Sequence, residues 1–413
     1  MKLTRAQKSW LLYDPAISAY AMIVRTVVAP IFLAHYAADI LGEAKSTEYW
    51  GYACSWAGIT AGAISVFFGP KIDAGHHKVR AVAVFTVLGV LSTLAYLIIP
   101  YLNVPRMVPF FILVISFTGI LSFMGATSFY DSLLINITGK EERDRVSSSG
   151  FALGYAGALL SFLLCMPLLK IADGKYFFAG SFIIAAVWWL SGSMPLLKNV
   201  RENSSDELLP AVKLRDTLKF IISQKNILFF LIAYFLYIDG VGTIMMQATL
   251  IASALQINTI CIMITILALQ LIGLPFTLLF GTLAEKFSAK TMIFTAIGIY
   301  IAIALIVTCM SFATGLLLRQ ILFFTAAGMI GTAQGGIQSL SRSLFSRIIP
   351  QQRAAELFAV YNIFGRFTTI VGPLLMIPLA VKLWGKAELG ISLMTVPFVC
   401  GAFMLSKVKV AES

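Results

Sequence analysis

The chain is divided into a succession of apolar stretches about 20 residues long, the length a helix needs to cross a bilayer core. Twelve can be counted, near residues 10–34, 49–69, 80–101, 107–137, 148–170, 176–197, 226–256, 260–283, 290–311, 314–345, 355–382 and 388–406. In lipid the backbone has no water to bond, so each stretch must satisfy its own amides and carbonyls as a helix. Hydrophobic residues make up 59% of the chain and charged residues 12%, against about 45–50% and about 25% in soluble domains. This balance argues against a soluble enzyme and predicts an all-α membrane protein with twelve transmembrane helices.

The formal charge of +12 would point to nucleic acid in a soluble protein. Here the positive-inside rule accounts for it, and no nucleic-acid partner is expected. With the N-terminus inside, 22 Lys and Arg fall on the inner side and six on the outer side. The expectation is both termini in the cytoplasm, an even number of spans and the lipid bilayer as surroundings. The stretch from Trp10 to Ala34 is too long for a signal-peptide core and reads as an uncleaved first span. The five cysteines all lie in apolar stretches without metal or redox spacing, so they read as small core residues. His76 and His77 are adjacent in a basic segment and only His35 remains, so no metal site and no cofactor are predicted.

The longest polar segment, Lys198 to Lys225, divides the chain into 1–197, a linker at 198–225, and 226–413. Within it Leu214, Leu218, Ile221 and Ile222 recur at helical spacing, with Lys213, Arg215, Asp216 and Lys219 between them. This predicts an amphipathic helix on the membrane surface. The two halves repeat a signal after their second span: GPKIDAGHHKVR from Gly69 and GTLAEKFSAK from Gly281. Each places an acid four residues after a glycine, with a basic residue beyond, in what reads as a short loop. Repeats of this kind are typical of secondary transporters.

On these paired motifs the chain resembles the major facilitator superfamily. That resemblance implies two pseudo-symmetric six-helix bundles that rock around a central site, with Asp73, Arg80 and Glu285 in a cytoplasmic gate. Arg342, with Ser341, Ser343, Arg347 and Glu356, is a candidate latch at the same surface. A narrower resemblance rests on WLLYDPAISAY (Trp10–Tyr20), RVSSSGFALGYAGALL (Arg145–Leu160), AYFLYIDGVGTI (Ala233–Ile244) and GGIQSLSRSLFSRIIP (Gly335–Pro350). These strings are similar to the family of the vacuolar amino-acid effluxer of fungal autophagy and its bacterial relatives. The resemblance implies transport of an amino acid or similar metabolite, in a bacterial inner membrane, by a monomer. Pro15, Ala16, Ile17 and Ser18 stand where that family has Trp-Ala-Asn-Ser. Asp131 stands where it has Asn, Arg25 where it is uncharged, and Glu285 and Ser288 where Asp and Gly are commoner.

Six charges lie within the apolar stretches: Asp14, Arg25, Asp131, Asp239, Arg319 and Arg366. A charge at bilayer depth is costly and usually faces a bundle interior or watery cavity. The resemblance implies a cavity lined by spans 1, 4, 7 and 10, which hold all of these except Arg366. At helical periodicity Asp14, Ser18, Ala21 and Arg25 share a face, with Asp14 and Arg25 about 16 Å apart along the axis. Asp14 reads equally as a gate residue or a helix-start residue. Asp239 lies about 20 Å into span 7, a depth similar to that of Arg25, so the two form a candidate salt-bridge gate. Thr243 shares the Asp239 face and Gln247 lies at its edge.

Low dielectric favours a neutral carboxyl, which makes Asp131 and Asp239 the candidates for proton coupling. Tyr130 precedes Asp131. Gln334, Gln338 and Ser341 share a face of span 10 and offer donors and acceptors for a zwitterion. The predicted substrate set is Arg25, Tyr130, Asp131, Asp239, Thr243, Gln247, Gln334, Gln338 and Arg366. The alternatives to an amino acid are an organic anion or siderophore-like chelator, motivated by the intramembrane arginines, and a receptor or scaffold without flux. No phosphate-binding loop or nucleophile elbow is present, and no enzymatic activity is expected.

Overall fold

The structure is a computed structural model that describes residues 3–170, 174–202, 214–255, 257, 259–366, 372–385 and 389–410. Among these residues every regular element is helical. Eleven helical segments among them are long and apolar enough to span: Arg5–Ala37, Glu48–Ala74, Lys78–Tyr101, Pro105–Ile137, Arg143–Leu168, Tyr176–Asn199, Lys225–Met245, Ile264–Phe287, Ala289–Phe312, Leu316–Ile348 and Leu389–Ser406. The remaining predicted span, the eleventh in chain order, is seen as Ala354–Arg366, a π-helical turn at Gly372–Met376, and Ile377–Trp384. The spans are numbered 1–12 in chain order below. The linker holds a helix at Leu214–Ser223, with Thr217 and Ile221 buried and Leu218 and Ile222 exposed. Residues 203–213 of the linker lie outside the described residues.

The chain forms two compact units. The first comprises Met1–Thr138, Leu153–Leu214 and Pro350–Val360, and the second comprises Gly139–Ala152, Arg215–Ile349 and Tyr361–Ser413. Each unit therefore takes in a short segment from the other sequence half. In both cases that segment carries the first turns of a span, span 11 in the first unit and span 5 in the second.

The first unit is packed around Trp10, Tyr13, Tyr20, Phe32, Phe129, Tyr130, Phe182 and Trp189, all buried. Without a hydrophobic drive between helices in lipid, close packing comes from small residues that let backbones approach. Span 5 shows this at Gly157, where an added Cβ would lie 2.4 Å from Cα of Pro15 on span 1. In the second unit Phe230, Tyr234, Phe345 and Tyr361 form a stacked aromatic group, with Tyr234 and Tyr361 at 4.2 Å.

Span 1 departs from regular helix twice. It breaks at Leu12, between Arg5–Leu11 and Tyr13–Ala19. Pro15 explains the break: its ring clashes with the carbonyl four residues earlier and it has no N–H to donate. From Tyr20 to Val28 the span is π-helical, and Thr26 Oγ1 donates to Ala21 O at 2.8 Å, five residues back. The shared face expected for Asp14 and Arg25 assumed 3.6 residues per turn. The wider π turn removes that periodicity at Tyr20, and a π segment inside an α-helix is itself a frequent mark of a functional site.

The paired glycine–acid motifs do not lie in loops. Gly69 and Asp73 belong to the last turns of span 2, and Gly281 and Glu285 to those of span 8. The first turn proper is limited to Gly75–His77, with His76 at φ 50°.

Candidate functional site

In the first unit, the break in span 1 builds an aromatic and carboxyl cluster. Trp10 stacks on Tyr130 with centroids 4.5 Å apart, and Tyr13 lies 4.7 Å from the same ring. Trp10 Nε1 donates to the Tyr130 carbonyl at 3.1 Å. The Tyr130 hydroxyl donates to Asp14 Oδ2 at 2.8 Å, with the Trp10 carbonyl at 3.2 Å sharing the same hydrogen. Tyr13 bonds Thr86 at 3.1 Å, and Trp188 Nε1 donates to the Pro15 carbonyl at 3.1 Å. The string WLLYDP is thus the contact set that fixes span 1 against spans 3, 4 and 6. Asp14 and Asp131 are both buried, at 9% and 5% exposure.

Tyr130→Phe should keep the stack on Trp10 and lose the hydrogen bond to Asp14. A bond to a carboxylate contributes about 1.5–3 kcal/mol, so a lower melting temperature in detergent is expected. An unchanged melt would show that the Tyr130 hydroxyl contributes nothing to this cluster.

Arg25 lies on the π-helical segment, half-buried. Its guanidinium stands 5.8 Å from the centroid of Phe123, and Phe123 is stacked on Tyr20 at 5.6 Å. It makes no ion pair among the described residues. Its guanidinium presents a planar fork of donors suited to a carboxylate.

In the second unit, Asp239 is fully buried, and its Oδ2 accepts the Gly372 N–H at 3.0 Å. Gly372 opens the π turn of span 11. Thr243, one turn beyond Asp239, is fully buried against Gly372, and its hydroxyl has no partner among the described residues. Gln247 is buried at 9% exposure. Gln334 and Gln338 are half-buried on span 10 and make no hydrogen bond among the described residues. Ser341, on the same helix, is committed elsewhere, bonded to the Tyr237 hydroxyl at 2.7 Å. Arg319 is half-buried in the first turn of span 10. Arg366 ends the first helical segment of span 11, and its side chain lies outside the described residues.

The glycine–acid motifs have a different task from substrate binding. In the first unit, the end of span 2 meets the start of span 11. An added Cβ on Gly69 would lie 2.9 Å from Glu356 Cα, so only glycine permits this approach. The contact puts the Asp73 carboxylate on the N-terminus of span 11: Ala355 N donates to Oδ1 at 3.0 Å and Glu356 N to Oδ2 at 2.9 Å. Unpaired amides and the helix dipole both favour an anion there. Lys78 Nζ lies 3.2 Å from Asp73 Oδ1 and also donates to Asn136 Oδ1 at 3.2 Å. Arg353 forks onto Glu356 at 2.6 and 2.8 Å. Arg80, expected with Asp73 in the gate, is exposed, and the cation beside Asp73 is Lys78.

In the second unit the end of span 8 meets the start of span 5 in the same way. A Cβ on Gly281 would lie 2.6 Å from Ser148 Cβ. Glu285 is exposed, so the second motif keeps the close approach without an equivalent of the Asp73 cap. Instead, span 5 is held from span 10. Arg342, 2% exposed, donates to Ser147 Oγ and to the Ser147 carbonyl, both at 2.9 Å, and lies over the Phe151 ring at 4.4 Å. Asp144 takes Arg347 at 2.5 Å and the Ser343 hydroxyl. Arg143 Nη1 donates to the Ser346 carbonyl at 2.7 Å. Asp144 and Lys78 hold these contacts and are not among the site residues expected from the sequence. An acid in the first turn of a helix, flanked by Arg143 and Arg145, was the available signal for Asp144.

A twelve-span chain whose span 2 and span 8 glycines each seat the first turns of a span from the other sequence half can be compared with known proteins. Residues 40–413 match the family described as vacuole effluxer Atg22 like. The chain belongs to this family. The uncharacterized MFS-type transporter YxiO of Bacillus subtilis is 32% identical over 420 residues, which cover 98% of this chain and 95% of that protein. Autophagy-related protein 22 of Saccharomyces cerevisiae (strain S288c) is 25% identical over 72% of this chain, which spans 66% of the yeast protein's length. Among solved structures, the major facilitator proton:xylose symporter XylE aligns with a TM-score of 0.75 at 14% identity, over 99% of this chain and 96% of that one. The fold is that of the major facilitator superfamily, and the family resemblance read from the motifs is borne out. The chain is a multi-pass membrane transporter, and its relatives are transporters rather than enzymes.

Proposed function

We propose that this member of the Atg22-like family is a secondary transporter of small polar metabolites bearing a carboxylate, with amino acids as the leading class. It works by alternating access between the two membrane faces. The observation that carries the carboxylate is Arg25, a half-buried guanidinium on a π-helical segment with no ion pair among the described residues. In the second unit the amides of Gln334 and Gln338 make no hydrogen bond among the described residues and suit the same ligand class. The family's amino-acid effluxer supports the amino-acid reading. Arg25 also favours a second reading, an organic anion, because the family pattern is uncharged at that position. The 22-to-6 charge bias supports cytoplasmic termini in a bacterial inner membrane.

Flux into proteoliposomes tests the proposal. The purified full chain should move at least one labelled amino acid or carboxylic acid down its gradient. Binding without flux for every ligand tried would overturn it. Neutral zwitterions outranking dicarboxylates would favour the first reading, and the reverse ranking the second.

Proton coupling through Asp131 or Asp239 is part of the proposal. Asp131→Asn and Asp239→Asn should reduce accumulation driven by a pH gradient more than counterflow exchange, because exchange needs no net proton movement. Equal loss in both assays would remove the carboxylates from coupling and leave them a structural task.

A further inference from the structure

We propose that the notch between the start of span 1 and the end of span 6 binds the phosphate of an anionic phospholipid headgroup. A cavity of about 640 Å³ lies there in the first unit, lined by Arg5, Met194, Pro195, Lys198, Asn199 and Arg201. Among the described lining residues three of six are cationic and none is acidic. Lys78, Arg347 and Arg353 pair with carboxylates. Arg5, Lys198 and Arg201 make no ion pair among the described residues. The carboxylate next in sequence, Glu202, is turned away and accepts the Val79 N–H at 3.0 Å. Three like charges in one concavity repel each other and focus a positive field, which a phosphate anion neutralises.

The charges are held on fixed elements. Arg5 is the first residue of a helix closed by a reciprocal cap between Thr4 and Gln7. Asn199 Nδ2 donates to Ser9 Oγ at 2.9 Å, and Ser9 Oγ donates to the Arg5 carbonyl at 2.8 Å. This chain of bonds ties the end of span 6 to the start of span 1. The terminal carbonyls of span 6 also favour cations at Lys198 and Arg201.

Depth selects a lipid over a free anion. Span 1 begins at Arg5 and span 6 ends at Asn199, so the cavity sits where helices leave the apolar core, at headgroup level. Leu12 and Met194, 47% and 41% exposed, lie on the span side of the cations and offer apolar surface to a glycerol and the head of an acyl chain. The volume is far larger than an inorganic phosphate fills. Juxtamembrane Lys and Arg contribute about 1 kcal/mol each toward an anionic surface, or roughly fivefold in affinity per charge.

Native mass spectrometry of the full chain in detergent tests this with three probes: phosphatidylglycerol, phosphatidylcholine and inorganic phosphate. Phosphatidylglycerol should stay bound where phosphatidylcholine dissociates, and inorganic phosphate at equal concentration should not displace it. The triple variant R5Q/K198Q/R201Q should lose about a hundredfold in phosphatidylglycerol affinity, with phosphatidylcholine unchanged. All three side chains are exposed, so single variants serve if the triple does not fold, each losing roughly fivefold. The charge-keeping R5K/R201K should bind as the parent does. Equal retention of the two lipids, or a triple variant that binds phosphatidylglycerol unchanged, would overturn the proposal. Displacement by inorganic phosphate would assign the notch to a free anion instead and overturn the lipid source.

Discussion

Asp73→Ala is expected to be the most damaging single substitution outside the substrate-contacting residues. The carboxylate is 9% exposed and does three things at once. It accepts the N–H groups of Ala355 and Glu356 at the start of span 11 and pairs with Lys78. Its removal orphans two buried amides and leaves a buried ammonium, since Lys78 is itself only 4% exposed. Removing one partner of a buried pair costs about 3–5 kcal/mol. The melting temperature in detergent should fall accordingly, and transport should fall with it because span 11 loses its seat on span 2.

Graded variants separate the parts. Asp73→Asn keeps one carbonyl acceptor for an amide but loses the charge, and should fall between the parent and Asp73→Ala. Lys78→Met removes the buried ammonium together with the pair. It should cost less than Asp73→Ala, because the carboxylate keeps both amides. In a double-mutant cycle Asp73→Ala and Lys78→Met should be non-additive, as contacting residues are. Asp73→Ala melting with the parent would show that the cap carries no stability.

The architecture was legible because lipid leaves the chain few options. Apolar stretches of about 20 residues must be helices, and eleven of the twelve expected spans overlap single helices over most of their length. The helix of span 7 runs Lys225–Ala254 against the expected 226–256. The eleventh span is the exception, as its middle lies outside the described residues. The glycine–acid repeat was also visible, yet its partner was not. Gly69 and Gly281 signal a close approach without saying to what, and the answer, Glu356 and Ser148, is more than 130 residues away in both cases.

The cation beside Asp73 has a local reason: Lys78 lies at the helix start, where the turn through His76 and His77 returns the chain to Asp73. The WLLYDP string was legible as a motif, while its role as a seat for Tyr130 depends on the break at Leu12. Nothing in hydrophobic periodicity foretells the π-helical segment at Tyr20–Val28, and that segment decides where Arg25 points its charge.

Arg25→Gln should change which ligands are recognised more than whether the protein folds. The guanidinium has an aromatic neighbour, Phe123, and no carboxylate among the described residues. Its loss therefore strands no buried anion in the resting protein, and the melting temperature should stay close to that of the parent. A ligand carboxylate would lose a charge-assisted fork, and such a bond is worth about 1.5–3 kcal/mol, or roughly ten- to hundredfold in apparent affinity. That loss should fall on every ligand with a carboxylate and spare its amide. Arg25→Lys should recover only part of it, because an ammonium keeps the charge without the planar fork. The measurement is a competition series in proteoliposomes, with acid and amide forms of the same ligand for the parent and both variants. An equal loss for acid and amide would remove Arg25 from the carboxylate contact and return it to a packing role on Phe123.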